Sequence, residues 1–301
     1  MYEAKILKHS ISDAGVELIT FEVNYPHAVH KDIMTHRWAR NFQSFRAFPP
    51  EKVIQQILAD PFRPEVFSER VKGMGRGHAV REQQLANALW DNYVAYSVQT
   101  AQQMLELNLA KEQINFVLQD LAWIRGIITT TRPQLENFYG LRLDTDEDGS
   151  PMARPEVYKI ASLMKEVHDA SQPQRVAQGA WHLPLVTDED IHEGYPEYDP
   201  DDTNNWVRHW EYLAKISVGR CARVSYLTHD GKRDPEKDVA LHDSLLRNGH
   251  MSPFEHQGTP LPDSLRQYTC GSFGYGWAQY RKYIPHESNY GALKRMDLAL
   301  G

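Results

Sequence analysis

Gly249-His250-Met251-Ser252-Pro253-Phe254-Glu255-His256 is a compact polar string that follows directly on a helical stretch at residues 238–248. About two hundred residues earlier stands a second dense string, Thr35-His36-Arg37-Trp38-Ala39-Arg40-Asn41-Phe42-Gln43-Ser44-Phe45-Arg46. In the first, Gly249 is a suitable C-cap, and the chain leaving it presents His250 and the next backbone N–H groups at a sharp turn. Ser252-x-x-Glu255 has the form of a capping box. In the second, cations at a helix end favour the helix C-terminus, while an arginine also offers a two-pronged grip on phosphate. Each string supports a structural reading and a ligand-binding one, and the two can coexist.

Outward from these strings, Phe21, Val23 and Tyr25 alternate with Glu22 and Asn24, which predicts a half-buried strand over residues 16–25. Pro26 opens a helical stretch through Val29, Ile33 and Met34, so the second string is expected where a helix gives way to a loop. A short helix is expected at 51–58 and a glycine-rich turn at Gly73, Gly75 and Gly77. Leu85, Leu89, Tyr93, Val94, Val98, Ala101 and Leu105 recur at helical spacing and predict a long amphipathic helix over 82–108. Further helices are expected at 111–123, at 132–142 and from Pro155 onward. Residues 187–205 are acidic and read as a surface loop, 216–226 as a strand or helix, and 257–301 as a peripheral segment. No repeat or long linker divides the chain, so a single domain over 1–301 is expected.

The 301 residues are 41% hydrophobic, enough for a substantial core. A formal charge of −7 and a pI near 6.1 argue against a general nucleic-acid binder. No apolar run approaches the ~20 residues of a membrane span, and no signal-peptide pattern opens the chain. Cys221 and Cys270 are the only cysteines, which points to a reducing cytoplasm. Histidines such as His27, His30, His168, His242 and His286 show no ligand spacing in sequence, so no metal is expected.

Taken together, the two strings resemble the signature segments of flavin-dependent thymidylate synthases, GH-x-SPFEH and R-H-R-x-x-S-x-N-E-x-S-x-R. Arg223-Val224-Ser225-Tyr226, one helix before the first string, has the family's order and spacing. A third likeness lies in residues 111–115, Thr129-Thr130-Thr131 and Asn137-Phe138-Tyr139-Gly140-Leu141-Arg142, similar to the family's run ending in N-F-x-x-L-R. The resemblance implies an α/β thymidylate synthase-complementing-like fold, with a small, mainly antiparallel sheet and long helices. It also implies bound FAD, NADPH and methylenetetrahydrofolate as co-substrates, and methylation of dUMP at C5.

Carried over residue by residue, the resemblance gives His36, Arg37 and Arg142 the catalytic role of organising the reacting rings. Cofactor binding falls to His36, Arg37, Asn41, Asn137, Ser225, His250, Ser252 and Glu255. Ser44, Arg46 and Arg142 are assigned to the nucleotide. A homotetramer with flavin sites between subunits is implied as well. The departures are specific: Thr35 replaces an Arg, and six residues rather than seven separate Arg37 from Ser44. The motif's first Ser and its Glu have no clear counterpart around Ala39-Arg40 and Phe42-Gln43. Asn115 stands where the family has a phosphate-gripping Arg. The segments also run in permuted order, as in circularly permuted phage-type relatives. Two alternatives stay open: methylation or hydroxymethylation of another pyrimidine nucleotide, or a non-catalytic flavin- or nucleotide-binding relative.

Overall fold

The computed structural model describes residues 1–72, 77–194, 203–225 and 234–295, with the side chains of residues 203, 204 and 225 left aside. In chain order the elements begin with β1 (Glu3–Ser12), β2 (Glu17–Pro26), α1 (His30–Met34), β3 (Ala39–Phe42) and α2 (Pro50–Ala59). They continue with α3 (Gln83–Glu106), α4 (Lys111–Asn115), β4 (Trp123–Thr131), α5 (Arg132–Arg142), α6 (Pro155–Asp169) and β5 (Gln174–Val176). Last come α7 (Asp188–Glu193), α8 (Thr203–Ser225), α9 (Pro235–Arg247), β6 (Gly258–Pro260), β7 (Trp277–Gln279) and α10 (Tyr290–Leu293). The class is α/β. A five-stranded mixed sheet has the order β3-β4-β2-β1-β5, antiparallel except where β5 runs parallel to β1.

Alternation along β2 divides the two sides of the sheet. Ile19, Phe21, Val23 and Tyr25 enter one core with Leu135 and Phe138 of α5 and Val157, Ile160 and Met164 of α6. Burying each such side chain contributes about 1.5–3 kcal/mol. On the other side α8 packs over β3 and β4, bringing Cys221 and Val224 against Ile127. A second core joins Leu213, Ile216 and Val218 of α8 to Leu245 and Leu246 of α9, and to Phe254 and Tyr280.

Several expectations change. The helix expected over 111–123 stops at Asn115, and residues 123–131 form the interior strand β4; nearly every residue in it is buried, so the alternation that marks a one-sided strand is missing. Gly126 fits there because a Cβ would meet the Phe42 ring at 2.1 Å. The second string passes from α1 into the edge strand β3, not into a loop, because residues 39–42 pair with β4. Within 187–205, the span 188–193 is helical, and Asp190 is buried in a two-pronged bond with Arg220 at 2.6 and 2.9 Å. Asp238, also buried, joins Arg220 at 2.8 Å and Arg223 at 2.9 Å, fastening α7, α8 and α9 together. The segment after residue 257 is not peripheral through β7, since Phe273, Trp277 and Gln279 are buried. Trp277 and Tyr280 are packed inside, on a strand and a short 3-10 turn. Of the expected glycine turn, Gly73 and Gly75 lie outside the described residues, as does Tyr226. Among the described residues no helix is long and apolar enough to cross a membrane.

Candidate functional site

The two strings meet at the edge strand. Pairing of residues 39–42 with β4 points Asn41 toward α8, where its Nδ2 donates to the Cys221 carbonyl at 3.2 Å. The first string arrives from α9 through the expected cap. Gly249 has φ +68°, its N–H donates to the Leu246 carbonyl at 3.0 Å, and His250 N–H donates to the Leu245 carbonyl at 2.9 Å. A side chain at 249 would be strained by that φ and would meet the Tyr290 ring. The turn delivers Ser252 to β3, and its Oγ donates to Asn41 Oδ1 at 3.3 Å.

Around this contact lies a cavity of about 400 Å³. Its wall includes Asn41, Ser44, Arg46 and Ser252, four residues assigned from the sequence. It also includes residues that the motif reading passed over: Arg40, Gln43, His27, His30, Phe45 and Phe116. Arg40 Nη1 donates to the Met34 and His36 carbonyls at 3.2 and 3.3 Å, so its guanidinium is fixed by backbone. His30 stacks on His27 and takes a hydrogen bond with Tyr25 Oη at 2.9 Å. Burial first, then His27 and Arg40, push the His30 ring down to about 4, so it is neutral at physiological pH. Two arginines, amide and hydroxyl groups and flat rings suit a phosphorylated planar heterocycle. Arg40 was the signal available in the sequence, an extra cation where the motif has none.

His36 and Arg142 form a second cluster. Arg142 Nε donates to His36 Nε2 at 3.2 Å, and the imidazole lies edge-on to Phe138 and against Trp38. Burial, then the Arg142 charge, lower His36 to about 4, which leaves Nε2 an acceptor at neutral pH. The two clusters are linked through the Arg40 bond to the His36 carbonyl.

The remaining assigned residues do not join either group. Arg37, Asn137 and His250 are exposed. Glu255 closes no capping box; its Oε1 accepts from Arg281 at 2.5 Å and its Oε2 from Ser272 at 3.4 Å. The nearby arginine outcompetes the backbone for the carboxylate. Ser225 ends α8, and its side chain lies outside the described residues. Asn115 is fully buried and donates to the Phe45 and Phe48 carbonyls, so it shapes the loop carrying Arg46.

His256, which closes the first string, is structural. Its Nδ1 bonds Thr129 Oγ1 at 2.9 Å, Thr129 bonds Thr20 at 2.7 Å, Thr20 bonds His182 Nε2 at 2.8 Å, and His182 Nδ1 bonds Ser10 at 2.8 Å. This buried chain crosses the sheet and ties the C-terminal string to three strands.

No family model matches the chain, and no curated protein matches it. Among solved structures it is similar to the UMP/dUMP methylase PolB from Streptomyces cacaoi bound with 5-Br UMP, at 16% identity over 56% of this chain and 89% of that one, with a TM-score of 0.46. The same methylase bound with 5-Br dUMP gives 18% identity over 51% of this chain and 67% of that one, with a TM-score of 0.41.

Proposed function

We propose that the chain is a flavin-dependent pyrimidine-nucleotide methyltransferase, a thymidylate synthase that methylates dUMP at C5. Methylenetetrahydrofolate would donate the carbon and NADPH the reducing equivalents, through bound FAD. The observation that carries this reading is the Ser252–Asn41 hydrogen bond, which joins the two resembling segments at a cavity holding Arg40 and Arg46. The donor set fits one phosphorylated ring system: Arg46 and Ser44 for a phosphate, Asn41 and Ser252 for a ring edge carrying carbonyl and N–H groups. When bound, the flavin supplies the redox chemistry. Asn41 and Ser252 would hold its ring edge, with His250 on the solvent side.

In this reading neutral His36 fixes the Arg142 guanidinium by accepting from Nε, leaving the other N–H groups of Arg142 for a pyrimidine carbonyl. The helix α3 supports a multimer, a homotetramer by the resemblance. Leu89 and Tyr96 are 61% and 69% exposed on it, and Leu85 and Tyr93 are exposed beside them. A second chain would then complete a site whose clusters are separate in one chain. A cytoplasmic location goes with this substrate class.

A second reading has its own observation. Buried Asn115 removes a cation from the place where the family grips phosphate, which favours the same scaffold acting on another pyrimidine nucleotide. Incubation of purified protein with FAD, NADPH, methylenetetrahydrofolate and dUMP should yield dTMP. A modified cytosine nucleotide from dCMP or CMP instead supports the second reading. A colourless protein that cannot be reconstituted with FAD overturns both.

A further inference from the structure

A cluster that this function does not use lies on the side of the sheet covered by α5 and α6. His9 stands on β1, Glu17 opens β2, and His168 is in the last turn of α6. Far apart in sequence, the three show no ligand spacing, yet the fold brings one ligand atom from each within 4.8 Å of the others. His9 Nε2 lies 3.2 Å and His168 Nε2 3.5 Å from the same oxygen, Glu17 Oε2. The two histidines are only 6% and 8% exposed.

Two imidazole edges converge on one carboxylate oxygen. As a hydrogen bond, 3.5 Å is at the outer limit of the geometry. As ligands of one tetrahedral ion the two histidine–carboxylate separations are natural: bonds of about 2.0–2.2 Å at tetrahedral angles place ligand atoms roughly 3.3–3.5 Å apart. Two of the three groups are also held from behind, while His168 Nδ1 is buried without a partner. His9 Nδ1 bonds Ser171 Oγ at 3.0 Å, and Glu17 Oε1 accepts from Arg132 Nη1 at 2.9 Å, orienting both ligands from behind. We propose that His9, Glu17 and His168 form a three-ligand site for a divalent transition ion of the zinc class, with water in the fourth position.

Arg132 shares the carboxylate's charge, which sets the affinity as moderate. An ion here would clamp β1, β2 and α6 together.

The test uses untagged full chain, stripped with a chelator and titrated with zinc against a chromophoric competitor, then with cobalt. One ion per chain is expected, with the visible absorption of tetrahedral cobalt and a raised melting temperature in excess zinc. His9→Gln and His168→Gln should each weaken binding at least tenfold. X-ray absorption of the zinc form should give two imidazoles plus oxygen donors, and this decides the matter even if a variant does not fold. Failure of the wild-type chain to bind stoichiometrically overturns the site. So does a coordination shell without two imidazoles, or folded variants with unchanged affinity. No readout passes through flavin or nucleotide, so the proposed function stands or falls separately.

Discussion

Ser252 Oγ donates to Asn41 Oδ1 at 3.3 Å, across 211 residues of sequence. Asn41 is held from behind by its bond to the Cys221 carbonyl, so Ser252 meets a partner that α8 has already oriented. If the pair forms one edge of a flavin site, Asn41→Ala should lower FAD occupancy more than Ser252→Ala, because it removes the group that positions the other. The double variant should lose little beyond Asn41→Ala, since contacting residues couple. Flavin-to-protein ratio after desalting measures this. Equal and additive losses would mean that the two act independently.

Arg46 is exposed at the cavity mouth, whereas Arg40 is anchored to two carbonyls. Removing Arg46 should therefore weaken dUMP binding at least tenfold, or about 1.4 kcal/mol, without changing the melting temperature. Arg40→Ala should weaken binding and also lower the melting temperature, because α1 loses its tether to β3. Calorimetric titration beside thermal melts separates the two effects. If Arg46→Ala binds dUMP normally, the cavity is not the phosphate site.

What the sequence makes legible follows from local chemistry. The Gly249 cap, the strand at 16–25, α2, α3, α5 and α6 announce themselves through φ requirements, alternation and helical spacing, and the structure has each of them. β4 is hidden because a strand buried on both sides does not alternate. Asp190 is hidden because an acidic run looks solvated until Arg220, a distant residue, is placed beside it. At the site, Asn41, Ser44, Arg46 and Ser252 line one cavity, while Glu255 is drawn to Arg281, which comes within reach only after β7 folds back. His9 and His168 show the same limit: nothing in a one-dimensional spacing reports on a sheet that sets β1 beside α6.

Asp238 is buried between Arg220 and Arg223. Asp238→Asn leaves Arg220 with the Asp190 carboxylate but replaces its second charged acceptor, and that of the half-buried Arg223, with a neutral amide. Leaving a buried charge wholly unpaired costs about 3–5 kcal/mol; with Asp190 still on Arg220, a loss of about 1–3 kcal/mol is expected. Chemical denaturation should show that loss with an unchanged slope. A cost below about 1 kcal/mol would mean that water reaches the network.

The exposed apolar face of α3 gives an oligomer prediction. Light scattering of the wild-type chain should return a multiple of 34.7 kDa, a tetramer by the resemblance. Leu89→Glu should shift it toward the monomer while leaving the helix intact, since Leu89 is 61% exposed. A monomeric wild type would require both clusters of the site to work within one chain.

Acid sensitivity closes the set, because it follows from histidines held neutral. His36 and His30 are lowered to about 4 and His256 to about 3, with burial the leading cause for each. The folded state therefore resists a proton that the unfolded chain takes up near its ordinary value of 6.5. Between these values the unfolded state binds more protons, so stability rises with pH. Their contribution is complete above about pH 6.5 and is lost progressively as the pH falls toward 4 and then 3. Melting temperature should be flat above neutrality and fall steeply below it. His256→Asn should melt lower at pH 7.5, since Thr129 loses one of its two partners at a cost of about 1–3 kcal/mol, yet show a shallower decline between pH 6.5 and 4.5. A variant whose decline parallels the wild type would show that His256 is already protonated in the fold, and that the chain from Thr129 to Ser10 is wired differently.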